Sequence, residues 1–150
     1  SSPTIKEYFT ILEETLIGDF VPSFQKKPKR RTIAAPKFYF FDVGIVNSLL
    51  KRKSIEHGSV NFGFVFEHFI YHELKTYSQY SGKKFPISYW RTSSQFEVDF
   101  VLGDHEVAVE VKSTDNVNLK HTKGLIAFTD EYKVKSKIMV SLDPMPRNMG

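Results

Sequence analysis

Three residues in the second half of the chain have the chemistry of a hydrolytic metal centre: Asp99, Glu110 and Lys112. Two carboxylates supply hard oxygen ligands suited to Mg²⁺ or Mn²⁺, and the backbone carbonyl of Val111 adds a third oxygen between them. A lysine beside such a pair can orient or deprotonate an attacking water and offset charge on a phosphate. The same residue types also make a plain solvated sheet face with a cross-strand Lys–carboxylate pair. The elements that carry them decide between the two.

Those elements are two strands joined by a turn. Residues 95–114 read QFEVDFVLGDHEVAVEVKST, in which FEVDFVL alternates, Gly103, Asp104 and His105 interrupt, and EVAVEVK alternates again. Val107, Val109 and Val111 then share one face, and Ala108, Glu110 and Lys112 the other. On the first strand Phe96, Val98, Phe100 and Leu102 are expected to join the valine face. Directly opposed residues of an antiparallel pair point the same way. A two-residue loop at 103–104 or 104–105 therefore brings Asp99 to the side of Glu110 and Lys112, whereas a plain three-residue loop sets it against Val109. An even loop or a compensating bulge is expected.

The 150 residues, 41% of them hydrophobic, suffice for one core and a small appendage. There is no cysteine, no signal peptide and no run of 18 apolar residues, so the expectation is a cytoplasmic protein without membrane association. A start at Ser-Ser-Pro without Met suggests a fragment of something longer. The net charge of +4 is local. Lys26, Lys27, Lys29, Arg30 and Arg31 form one basic cluster and Lys51, Arg52 and Lys53 another, while the remainder is acidic on balance. Such a patch suits a polyanion, and equally a solvated loop.

In chain order, Thr4 and Glu7 make a capping-box pattern before Ile5, Tyr8, Phe9, Leu12 and Leu16, with Gly18 as the stop. Strands are predicted over 19–24 and 37–41, separated by the basic loop. Asp42 caps a short helix over VGIVNSLL. Residues 51–61 read as a polar linker, which divides the chain into a connector over 1–52 and a second domain over 53–150. A long helix over 63–80 presents Phe66, Phe69, Ile70, Leu74 and Tyr77. His68 and His72 stand four apart on it, without an evident third metal ligand, and read as surface or half-buried histidines. A strand over 86–91 ends in Arg91, which is placed to contact a phosphate. After the hairpin come a helix over 116–129, weakened by Gly124, and a strand over 137–142, an arrangement that suggests a parallel crossover.

From residue 62 the order helix-strand-strand-strand-helix-strand, with Asp on the second strand and Glu-x-Lys on the third, resembles the PD-(D/E)xK nucleases. The resemblance implies an α/β fold with a restriction-endonuclease-like core. It also implies a carboxylate from the first helix, which Glu67 in GFVFEHFIYHEL matches. Asp99, Glu110, Val111 and Glu67 would then serve a metal, with Lys112 acting on the water. The Pro that usually precedes the Asp is replaced by Val98. Over nearly the whole chain, KFYFFDVGIVNSLL, GFVFEHFIYHELK, YWRTSSQFEVDFVL and EVAVEVKST resemble the C-terminal region of prokaryotic AAA-type ATPases. That implies a winged-helix-like connector over residues 1–52 and an upstream ATPase module of the same chain. No Walker motif is present.

Two functions follow as expectations. The first is a Mg²⁺- or Mn²⁺-dependent DNA phosphodiesterase, with Arg91 and the Lys26–Arg31 cluster on the nucleic acid. The second is a regulatory or DNA/protein-interaction module of the ATPase that keeps the polar cluster without turnover.

Overall fold

Helix α3, Val60–Tyr80, and the four-stranded sheet beneath it organise the chain. The computed structural model describes residues 2–52 and 54–148; Lys53, part of the second basic cluster and the first residue of the expected second domain, lies outside them. The protein is mixed α/β, with four α-helices and two sheets among the described residues.

Ser59 caps α3 by accepting the N–H of Phe62 at 3.1 Å, one turn earlier than the periodicity suggests. After the turn at Ser81–Gly82 follow β3 (Ile87–Arg91), β4 (Glu97–Leu102) and β5 (Val107–Lys112), all antiparallel neighbours. A single 3₁₀ turn (Leu119–Thr122) and a short α4 (Lys123–Thr129) replace the long helix expected over 116–129. Strand β6 (Ser136–Ser141) then pairs with β5 in parallel, as the helix between two strands implied. The sheet order is β3-β4-β5-β6, with α3 on one face and α4 on the other.

Each face has its own core. Tyr71, Tyr89, Phe100, Leu102, Val109 and Val111 pack on the α3 side, and Trp90, Val98, Val101, Ala108, Leu125 and Phe128 on the α4 side. Val98 and Phe100 thus face opposite ways, although simple alternation puts them together. The reason is a β-bulge: Ser88 pairs with Val101 and Trp90 with Val98, so Asp99 and Phe100 together oppose Tyr89. The expectation that Val98 shares a face with Phe100 and Leu102 is corrected by that one extra residue. On α3, Phe69 and Tyr77 are exposed and Tyr71 takes their place in the core.

The first fifty residues are stitched onto this unit. Helix α1 runs Ser2–Glu14, so Thr4 lies within it rather than capping it, and it ends before Leu16, whose φ is 61°. Strands β1 (Gly18–Val21) and β2 (Lys37–Phe40) form an antiparallel pair, followed by α2 (Val43–Leu49), whose N-terminus Asp42 caps as expected. Between β1 and β2 the chain runs along the outer edge of β3. Phe24 N–H donates to the Tyr89 carbonyl at 2.7 Å and Ile33 N–H to that of Arg91 at 2.8 Å. The edge strand is thereby covered. Val21 and Tyr39 sit in the same core as Tyr71 and Phe100.

Candidate functional site

The β4–β5 ladder is regular for three pairs only: Leu102↔Val107, Val101↔Ala108 and Phe100↔Val109. The loop has four residues, 103–106, rather than two, and remains even. Beyond Phe100 the bulge ends the pairing and the strands part. In the gap, Asp99 Oδ2 accepts the N–H of Val111 at 2.8 Å, a donor that a strand carbonyl would otherwise take. Asp99 is thus fixed across the opening by the backbone of the Glu-x-Lys stretch, and only 6% of it is exposed.

Alternation on β5 sends Ala108 to the α4-side core and Glu110 and Lys112 to that side with it. Sequence parity places Asp99 on the same face; the bulge instead holds it in the gap, reached from the α3 side by Lys37. Glu110 is 5% exposed, and its Oε1 accepts from the Lys112 ammonium at 2.6 Å. Its Oε2 is buried with no hydrogen-bond partner among the described residues. Gly124 in α4 lets the helix lie against this spot. A Cβ there would meet the Glu97 carbonyl oxygen at 1.8 Å and Glu110 Oε2 at 3.4 Å. The glycine that weakens a helix is what allows this one to close over the sheet.

From the α3 side come the expected Glu67 and two groups that sequence reading missed, Lys37 and Tyr39. Glu67, from the middle of α3, accepts from the Tyr39 hydroxyl at 2.5 Å and from the Lys37 ammonium at 2.9 Å. Lys37 also lies 2.8 Å from Glu97 and 3.8 Å from Asp99. Arg91 reaches Glu97 at 3.6 Å and is half exposed. Lys37 and Tyr39 alternate on β2, so a strand there brings both to one side. Nothing local in the sequence says that this side faces Asp99. Glu97, two residues before Asp99, was legible as a neighbour by spacing alone.

Four carboxylates thus share the region with two lysines, and burial governs the titration of Asp99 and Glu110. Burial pushes Asp99 up to about 6, with the charge of Glu67 adding to it and Lys37 opposing. Burial likewise pushes Glu110 up to about 8, helped by the charge of Asp99. The ion pair with Lys112 does not offset this. Lys112 is raised above its ordinary value, because Glu110, Asp99 and Glu67 together outweigh its own desolvation. It is therefore an ammonium at neutral pH, a group that orients and donates rather than one that takes a proton.

Among the described residues no three His, Cys, Asp or Glu side chains close into a cage for a metal ion. What fits a cation is more open: Asp99, Glu110 with its orphaned buried oxygen, and the backbone of Val111, whose N–H holds Asp99 and whose carbonyl is a further oxygen ligand type. Mg²⁺, which keeps several waters and takes one or two carboxylates, suits such a set.

The basic cluster is largely tied down. Lys26 pairs with Asp104, Arg30 with Glu131 at 2.7 Å, and the Lys29 ammonium with the Asp130 carbonyl at 3.2 Å. Lys27 and Arg31 have no acidic partner within 4 Å among the described residues. His68 is buried, with His72 beside it, and the two Nε2 atoms converge on the Phe40 carbonyl at 2.5 and 2.9 Å. They clamp β2 to α3. No described helix is long and apolar enough to cross a membrane.

Residues 62–146 match the family model described as "Domain of unknown function (DUF4143)", and residues 1–56 match a second, "Domain of unknown function (DUF8612)". No curated protein and no solved structure matches the chain.

Proposed function

The chain belongs to the DUF4143 family, and for its site we propose divalent-metal-dependent cleavage of DNA phosphodiesters by a restriction-endonuclease-like core attached to an AAA-type ATPase. The observation that carries this reading is the buried, unpartnered Oε2 of Glu110 at the opening where Asp99 parts two strands. An orphaned buried carboxylate oxygen costs stability, and a cation is the partner that removes the cost.

Asp99, Glu110 and the Val111 carbonyl would hold the Mg²⁺ or Mn²⁺, with Glu67 supporting from α3. The metal supplies Lewis acidity and a water of lowered pKa. The Lys112 ammonium would donate to an attacking water or to a phosphate oxygen and offset charge developing on the phosphate. Arg91, on the neighbouring strand and half exposed, contacts a flanking phosphate, together with Lys27 and Arg31. Helix α4, kept close by Gly124, excludes water from the α4 side of Glu110.

The test is incubation of the chain with supercoiled, linear and single-stranded DNA, with Mg²⁺ or Mn²⁺, beside Asp99→Asn. Metal-dependent cleavage absent from the variant supports the reading. Absence of cleavage on every form, with no Mn²⁺ binding by calorimetry, refutes it. A second reading, an idle regulatory or interaction module, is favoured by the internal pairing of Lys37 and Lys112 with the carboxylates. It predicts a stable protein that neither binds metal nor cuts.

A further inference from the structure

The N-terminal half of the chain places a charged group where the second half keeps its carboxylates. Lys37 opens β2, with Val21 as its cross-strand partner. Just before it, the Tyr89 hydroxyl donates to the Ala35 carbonyl, and the Lys37 ammonium lies 5.2 Å above the Tyr89 ring centre. The stem is thereby anchored. The ammonium lies 2.9 Å from Glu67, 2.8 Å from Glu97 and 3.8 Å from Asp99, and three-quarters of the side chain is shielded from solvent. Three carboxylates on one ammonium is more than an ordinary ion pair needs.

The charges in the gap do not balance. Once Glu110 is ionised, as a bound cation requires, Glu67, Glu97, Asp99 and Glu110 face Lys37 and Lys112, and among the described residues the buried carboxylate oxygen without a partner is Oε2 of Glu110. Arg91 approaches only from the rim. A dication on Asp99 and Glu110 closes that deficit. Yet it would then lie within a few ångströms of the Lys37 ammonium, and like charges at about 4 Å repel strongly at an interior dielectric. Lys37 has the means to yield, since its flexible stem can slide along the Tyr89 ring while keeping Glu67 and Glu97.

We infer that Lys37 is part of the site: its ammonium is the tethered counter-cation of Asp99 in the metal-free protein, and a divalent cation enters by displacing it. This rests on the metal-binding reading above. One consequence reaches beyond the site. Because Lys37 rides on β2, metal occupancy is coupled to the strand pair that α1 and α2 flank. The N-terminal region therefore senses whether the site is loaded.

The test is calorimetric titration of Mn²⁺ into the wild-type chain, Lys37→Met and Lys37→Arg at neutral pH. Removing a competing charge at this range should tighten binding about tenfold or more in Lys37→Met, while Lys37→Arg stays near wild type. Hydrogen exchange on the wild type gives a reading that does not depend on the variants folding: Mn²⁺ should change the protection of residues 37–40. Equal or weaker binding by Lys37→Met overturns the inference and leaves the metal site standing. Unchanged protection at 37–40 in the Mn²⁺-loaded wild type overturns it as well. If neither wild type nor Lys37→Met binds Mn²⁺, the metal reading falls and this inference with it.

Discussion

Glu110→Gln should make the metal-free protein more stable above neutral pH and remove part of its pH dependence. Burial and the charge of Asp99 push Glu110 up to about 8. The folded chain then holds a proton at Glu110 that the unfolded chain has already lost, so stability is full below the ordinary carboxylate range and falls as pH rises through about 8. Between pH 7 and 8.5 the neighbours are quiet. His68 is lowered by burial, so it is neutral in both states there. Asp99, raised to about 6, is mostly ionised. Lys37 and Lys112 are raised and stay protonated. Integrating the bound proton over that window gives a loss of about 1 kcal/mol in the wild type. For a chain of this length that is a fall in Tm of about 2–4 °C. Urea unfolding at pH 7 and 8.5 in the presence of a chelator reads it directly. Glu110→Gln should lose the slope. Saturating Mg²⁺, which binds the ionised form, should restore the wild type at pH 8.5. A wild type whose stability is flat or rises across the window refutes the reasoning, as does a variant with the same slope.

Lys112→Ala should cut metal-dependent cleavage by about a hundredfold or more while leaving Mn²⁺ affinity nearly intact, since the ammonium is not a ligand; parallel kinetics and calorimetry check this. Gly124→Ala forces a Cβ to within 1.8 Å of the Glu97 carbonyl oxygen. The helix must move, at a cost of about 1–3 kcal/mol, and thermal unfolding should show it. Arg30→Ala frees the loop that covers β3 and leaves Glu131, whose side chain is 1% exposed, without its guanidinium partner. Limited trypsin digestion should then cut at Lys26–Arg31 well before it cuts the wild type.

What was legible in the sequence is what local pattern governs. Alternation in FEVDFVL and EVAVEVK specified a hairpin, and the helix between β5 and β6 specified their parallel pairing, because the side-chain period and the reach of a crossover leave little choice. The Asp42 cap was readable for the same reason, and on α3 so were Phe66, Ile70 and Leu74, though not Tyr71. The face that Asp99 occupies was not. One inserted residue reverses parity, and whether a strand bulges depends on its partner, here Tyr89 opposite Asp99 and Phe100. Nor could the sequence show that Lys26 and Arg30 are spent on Asp104 and Glu131, some seventy to a hundred positions away. The same holds for Lys37 and Tyr39. Their alternation on β2 is local, but the approach of β2 to α3 and to the gap between β4 and β5 is a property of packing two sheets around Tyr71 and Phe100. Residue types and spacing named the carboxylates and the lysine of the hairpin; only the tertiary structure decided which distant charges they answer to, because electrostatic partners are chosen by proximity in space.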